Sequence, residues 1–416
     1  MSLEWDYYKL EELINLRTGK LDSNAEEENG NYPFFTCAPD PLKINSFSFD
    51  QPAILLAGNN ANGNFHINYY EGKFDAYQRT YVIDVLNKEK IDLKFLYYAM
   101  KICLKDFKRM SQGTSTRFLT KKILDNFEIQ VPNMETQLKI VEVLDAISNK
   151  ININQRINKN LEQLSQNLFK KWFIDFDLKS DFNISESFKE SSLGEIPESW
   201  QIKTIGDLSD VKGRIGWRGY TTNDLVDEGP WVIGGKEITL GFIDFNSAKH
   251  LTREKYEESP EIMLKDKDLI IAKTGTIGPI AMYYDVYGEA TLNPNVGLIR
   301  SKNINSALLL TFFKTQRAQY YLNEFTTSSV QPAINQTTIK QLEVALPSDK
   351  QLLKNMESKF EEINSLQFNL NEEIKKLSKL RDTLLPKLMS GEIDVSKINC
   401  DLLIKILEFL FFMIIN

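Results

Sequence analysis

Cysteine and histidine are scarce in this chain. Of 416 residues, three are cysteines (Cys37, Cys103, Cys400) and two are histidines (His66, His250). An odd number of widely spaced cysteines excludes a disulfide framework, and so few soft ligands argue against a zinc cluster. The phosphate-cradling run G-x-x-x-x-G-K-[ST] is missing: "AKTGTIG" has the glycines without the lysine that would follow them. No serine nucleophile elbow occurs. The Asn/Asp-Pro-Pro-aromatic run of an adenine methyltransferase is also missing, because "LNPNVG" (Leu292 to Gly297) lacks the second proline and the aromatic. "MSLEWDYYKL" has no charged leader followed by an apolar core, so the expected compartment is a reducing cytoplasm. The strongly apolar stretch "CDLLIKILEFLFFMIIN" (Cys400 to Asn416) carries Lys405 and Glu408. It falls short of the about 20 apolar residues of a comfortable span, so no membrane partner is expected. It reads as an extra helix packing on something apolar, or as sequence beyond the useful end of the gene.

What is present is a beginning that occurs twice. "SLEWDYYKLEEL" at the N-terminus places Leu10 and Leu13 after Trp5, and "ESWQIKTIGDL" places Ile205 and Leu208 at the same spacings after Trp200. Downstream, "AILLAGNNANGNF" matches "DLIIAKTGTIGPI", with Ala57 opposite Ala272 and Gly63 opposite Gly278. "DNFEIQVP" matches "KQLEVALP". Matches in the same order at a period of about 200 residues indicate a duplicated domain, since solenoid repeats are far shorter. The second copy is longer by about 20 residues, between Leu208 and Asp268. A hydrophobic content of 42% and a charged content of 26% are ordinary for cores of this size.

Each copy has short β-like runs ("AILLAG", "TYVIDV", "DLIIAK", "VGLIRS") among Gly/Asn/Asp turns, and then a long helix directly after the closing proline. In the first helix Leu144, Ile147, Ile151, Ile157, Leu161, Leu164 and Leu168 form a narrow stripe that Asn154 interrupts. In the second, Met356, Phe360, Ile363, Leu366, Leu370, Ile374, Leu377 and Leu384 do the same. A helix from Glu135 to Phe173 would extend about 58 Å, beyond a small domain. The polar link after Asp175 permits a reversal. The expected fold class is therefore α+β: two tandem mixed α/β domains, each followed by a long helix, the two helices pairing as an antiparallel coiled coil with pseudo-twofold symmetry. Asn154 would fix register, and Pro386 and Gly391 would stop the second helix.

A net charge of −7 argues weakly against nucleic acid, yet overall charge is not local charge. "KGRIGWRGY" alternates Arg214, Trp217, Arg218 and Tyr220 with glycines, suiting phosphates, guanine edges and sugars. Lys236, Lys273 and Gln331 join them as candidate DNA contacts. The first copy offers Asn62, Lys73, Arg79 and Arg117 from "GNNANGNFHINYYEGKFDAYQR" and "KRMSQGTSTRF", whose asparagines suit adenine edges. Two other functions are open. Pro39-Asp40 with Glu71-Gly72-Lys73 fits the loose spacing of a metal-dependent nuclease, although the second copy does not reproduce it. A coiled-coil scaffold whose end domains bind proteins is the other.

Taken together, "GEIPESWQIKTIGDL", "KDKDLIIAKTGTIG", "TLNPNVGLIR", "SSVQPAINQTTIKQLEVALP" and "LRDTLLPKLMSGEI" resemble the specificity subunit of type I restriction-modification systems, over nearly all of residues 1–392. The first half departs from that pattern at "GTSTRFLTKKILDNFEIQVP" and at "GNNANGNF". The resemblance implies target recognition domains at 1–132 and 195–347, spacer helices at 133–178 and 348–392 and a linker at 179–194; the apolar tail at 393–416 has no obvious counterpart in the family. It implies no catalysis by this chain. The partners would be double-stranded DNA with a bipartite site, two methyltransferase subunits and, through them, restriction subunits. S-adenosylmethionine, Mg²⁺ and ATP would belong to those partners, leaving no cofactor on this chain. Because the loops of the two halves differ, the DNA site should be asymmetric.

Overall fold

The computed structural model describes residues 5–185, 187–215, 218–239, 241–325 and 332–395. The chain forms two compact units. Unit 1 comprises residues up to Gln155 together with those from Asn371 onward, and unit 2 comprises Arg156–Leu370. The two long helices, Met134–Phe173 and Lys350–Met389, each contribute to both units.

Unit 1 contains strands β1 (Asp6–Lys9), β2 (Ile14–Thr18), β3 (Tyr32–Phe35), β4 (Leu42–Ile44), β5 (Phe49–Ala57), β6 (Asn59–Ala61), β7 (Ile67–Ala76), β8 (Thr80–Val85), β9 (Thr116–Phe118) and β10 (Glu128–Val131). Six of them form one sheet in the order β2-β8-β5-β7-β3-β4. Ala53 through Ala57 are buried on both faces, which is why "AILLA" is continuously apolar rather than alternating. Helix Leu93–Ile102 starts where Asp92 accepts hydrogen bonds from the Lys94 and Phe95 amides, both 2.9 Å. Its Phe95, Leu96 and Ala99 share a core with Ile140, Leu144, Ile147 and Ile151 of the first long helix and with Leu377, Leu385 and Leu388 of the second.

In unit 2 a four-stranded antiparallel sheet runs in the order Ser209–Gly213, Val296–Ser301, Leu269–Ala272, Ile280–Met282. The duplication extends to register: Ile54 lies opposite Ile83, and its counterpart Leu269 lies opposite Ile299. Leu225–Ile233 pairs antiparallel with Lys249–Leu251, while its Trp231–Ile233 runs parallel to Ala290–Leu292, repeating the pairing of β3 with β4 and β7 in unit 1.

The double beginning has a structural counterpart. β1 pairs antiparallel with β10, the strand before the first long helix. Trp200–Thr204 pairs likewise with Glu343–Pro347, the strand before the second. Each starting tryptophan then packs at the C-terminal end of the other copy's helix. Trp200 is buried against Phe173 (centroids 5.6 Å apart). Trp5 covers Gly391, where an added Cβ would come within 3.2–3.5 Å of the indole ring.

The helix pair is antiparallel. In unit 2 the Gln367 amide donates to the Asn158 carbonyl (3.3 Å), while Trp172, further along the first helix, meets Phe360, earlier in the second (5.9 Å). Two expectations need correction. Leu164 is 46% exposed and Ser165 is buried in its stead, so that, with Asn154 buried in the seam as expected, the stripe passes through polar positions in mid-helix. These are tolerated because they have partners: Asn154 donates to Glu373 (2.7 Å) and the Ser165 hydroxyl meets Thr311 Oγ1 (2.8 Å). Pro386 lies within the second helix and does not stop it. Only one backbone bond is forfeited there, and the stop comes at Gly391, with left-handed φ of 72°. Among the described residues no helix is long and apolar enough to cross a membrane; the tail Cys400–Asn416 lies outside them.

Candidate nucleic-acid interface

Both units elaborate the loop that follows the buried central strand, and both fasten it to a second polar loop. In unit 1 β6 pairs antiparallel with β9, placing Asn59 opposite Phe118 and Asn60 opposite Arg117. In unit 2 Thr274 bridges Ala333, the Gly275 amide donates to the Pro332 carbonyl (2.9 Å), and the Ile334 amide donates to the Lys273 carbonyl (2.9 Å). Backbone-to-backbone fastening leaves side chains free and fixes where they start.

Unit 1 brings Asn62, Arg79 and Arg117 together. Arg117 is half-buried beneath Gly63, where an added Cβ would sit 2.8 Å from Arg117 Cδ and 3.2 Å from Lys108 Cγ. Among the described residues its guanidinium donates only to uncharged oxygens, the Lys108 carbonyl (3.2 Å), the Ser111 carbonyl (3.3 Å) and the Ser111 hydroxyl (3.5 Å). Arg79 lies over the Phe118 ring, 5.6 Å from its centroid. Lys108, which was not nominated from the sequence, donates to Asn64 Oδ1 (2.7 Å). Lys73 stands apart. It pairs with Asp50, seven positions before Ala57 on β5, or about 24 Å at strand rise, and its ammonium lies 4.6 Å from the Phe47 centroid.

In unit 2 Arg214 is only 4% exposed. Its Nε donates to the Leu292 carbonyl (2.7 Å) and its terminal nitrogens to the Arg218 carbonyl (3.2 Å) and Thr291 Oγ1 (3.1 Å). Burial holds its pKa below the ordinary arginine value. Arg214 therefore braces the loop from within. Arg218 donates to the Glu258 carbonyl (3.2 Å) and stands 3.6 Å from Glu261. Lys236 is exposed on the turn Gly235–Glu237, beside Ala272 at the root of the Lys273 loop. Lys273 is half-buried with its ammonium against Gly213 and no carboxylate partner among the described residues, and burial alone lowers its pKa. Gln336 secures Gly213: its amide donates to the Val211 carbonyl (3.1 Å) and accepts from the Gly213 amide (3.2 Å). Trp217 and Gln331 lie outside the described residues.

Half-burial sets Arg117 and Lys273 apart from ordinary surface cations. Neither has a carboxylate partner among the described residues, and for Lys273 burial disfavours the charged form, an arrangement that costs free energy until an anion arrives. Arg300 and Lys94, by contrast, are partly buried and matched, by Asp268 (2.6 Å) and Asp145 (2.5 Å). Among the described residues no three His, Cys, Asp or Glu side chains converge as a metal site. The Asp40, Glu71 and Lys73 pattern thus finds no support as a nuclease centre.

Two α+β units of one plan, each presenting a fastened pair of polar loops and each built onto paired long helices, define a tandem recognition protein. The chain belongs to the type I restriction modification DNA specificity domain family, whose model matches residues 2–163 and again 197–376. That family supplies sequence selection, not catalysis, to type I systems. The chain is 27% identical over 419 residues to the EcoDI specificity subunit of Escherichia coli, covering 94% of this chain and 89% of that protein. It is 24% identical to the MjaVIII specificity subunit of Methanocaldococcus jannaschii, covering 95% and 94%. The fold resembles that of the crystallised S subunit from M. genitalium, with a TM-score of 0.63 at 16% identity over 93% of this chain and 96% of that one.

Proposed function

We propose that this chain reads an asymmetric bipartite DNA target, each unit engaging one half-site through its fastened loop pair. It would carry two methyltransferase subunits, to which restriction subunits attach. S-adenosylmethionine, Mg²⁺ and ATP are assigned to those partners, and the assembly to the cytoplasm. The observation that carries the reading is that one loop-on-loop geometry recurs in both units with unlike side chains: Asn62, Lys108 and Arg117 in unit 1, Lys236 and Lys273 in unit 2. Shared geometry suits one kind of ligand, and unlike side chains suit two different sequences. Half-buried cations would take phosphates and set the loops' register on the duplex, and neighbouring polar groups would read base edges. Purified chain mixed with its methyltransferase partner tests this. Sequence-selective adenine methylation only in the mixture supports it; methylation without sequence preference refutes it.

A further inference from the structure

The asparagine-rich loop of unit 1 holds four side-chain amides, and three are occupied within the protein. Asn59 Oδ1 accepts from the Cys37 thiol (3.0 Å), Asn60 donates to the Cys37 carbonyl (3.1 Å), and Asn64 Oδ1 accepts from Lys108 (2.7 Å). Asn62 is exposed at the tip, and its side-chain amide, unlike its backbone N–H, makes no hydrogen bond among the described residues. Its backbone is left-handed, with φ of 57°, and is held by the following Gly63 (φ 70°) and by its own amide donating to the Ser115 carbonyl (3.3 Å). Unit 2 builds the matching turn differently: Ile277, the residue before Gly278, is 7% exposed and is not left-handed. At one position of the shared plan, unit 1 thus presents a free amide where unit 2 presents a buried apolar side chain. Arg117 and Lys108 lie against the adjoining Gly63, and Arg79 lies over Phe118, which faces Asn59 on the same loop pair, so cations able to hold phosphates share this loop pair with Asn62.

We propose that Asn62 reads an adenine in the half-site engaged by unit 1. A carboxamide offers one donor and one acceptor side by side, matching adenine N7 and N6 in the major groove and no other base edge as well. The inference rests on the reading that unit 1 engages a half-site.

Asparagine also tolerates left-handed backbone, so its presence could serve the turn alone. Two substitutions separate these roles. Asn62→Gly keeps the turn and removes the amide; Asn62→Asp keeps the turn and its shape and leaves acceptors only, which suit the cytosine amino group. The complex with the methyltransferase partner is presented with a randomised DNA library and the methylated sequences are read. The expected result is an adenine at one position of one half-site in the parent, a loss of about tenfold or more in that preference in Asn62→Gly, and a shift toward cytosine in Asn62→Asp, with all other positions retained. Thermal unfolding of both variants should match the parent. An unchanged base profile in Asn62→Gly overturns the proposal, as does equal weakening at every position. A parent complex with no sequence preference overturns the underlying reading as well, and so is distinguishable from failure of Asn62 alone.

Discussion

Asn154 and Glu373 meet inside the helix pair of unit 1, the Asn154 amide 2.7 Å from the Glu373 carboxylate, with Lys150 Nζ 3.6 Å from its other oxygen. All three are at most 9% exposed. A polar layer in an otherwise apolar seam specifies which positions face each other and does little for stability.

The energetic consequence is asymmetric. Glu373→Ala removes the buried carboxylate that Lys150 and Asn154 meet and should cost about 3 kcal/mol in urea unfolding. Replacing Lys150, Asn154 and Glu373 together by Met, Leu and Leu should be neutral or stabilising, because no buried charge remains. A triple variant weaker than Glu373→Ala would contradict this account of the layer.

Arg214 and Lys273 should respond differently to truncation. Arg214→Ala removes three internal hydrogen bonds from a charged group, so it should lower the unfolding temperature and weaken binding at unit 2 without changing base preference, at a cost of about 2 kcal/mol or more. Lys273→Ala should leave the fold intact, weaken binding about equally on all sequences and reduce the salt dependence by about one released counterion. Arg218→Ala, by comparison, should cost about 1–3 kcal/mol at one position if it reads a base. Equilibrium binding across salt concentrations checks all three.

Lys273 also carries a pH signature. Burial disfavours its charged form, so folding stability contributed at this site rises as pH passes upward through the lowered pKa, while DNA affinity falls over the same interval. Lys273→Arg should keep affinity flat there. Affinity that declines identically in both proteins would dissociate Lys273 from the phosphate contact.

The two described cysteines should differ in reactivity. Burial pushes the Cys103 thiol up to about 12, leaving almost no thiolate at pH 8. Cys37 is half-buried and borders the Asn59 loop. Iodoacetamide with peptide mapping should label Cys37 well before Cys103, and bound DNA should slow Cys37. Equal rates would contradict the placement of Cys103.

Much of the architecture was legible because duplication shows in order and spacing: Trp5 with Trp200, Ala57 with Ala272, and the closing prolines all occupy matching structural positions. Helix extent was legible from the stripe, but its mid-section was not. Asn154 lies in the seam as expected, against Glu373, whereas Leu164 looks like a seam residue and only the opposing Thr311 explains why Ser165 is buried instead. The sites were less legible because residue type does not reveal whether a side chain is already engaged. Arg214 and Asn62 both suit DNA chemically, yet the first is consumed by internal carbonyls and the Thr291 hydroxyl, while the second's side chain makes no hydrogen bond among the described residues. Lys108 was visible in a basic run and became a candidate only once Gly63 lay across it.

The most direct test of two unlike reading units on one chain is the methylated motif itself, obtained by mapping adenine methylation genome-wide with and without this gene. The account predicts a motif that depends on the gene, made of two different short sequences separated by a constant number of unspecified bases. A palindromic or uninterrupted motif, or a gap of variable length, would contradict it.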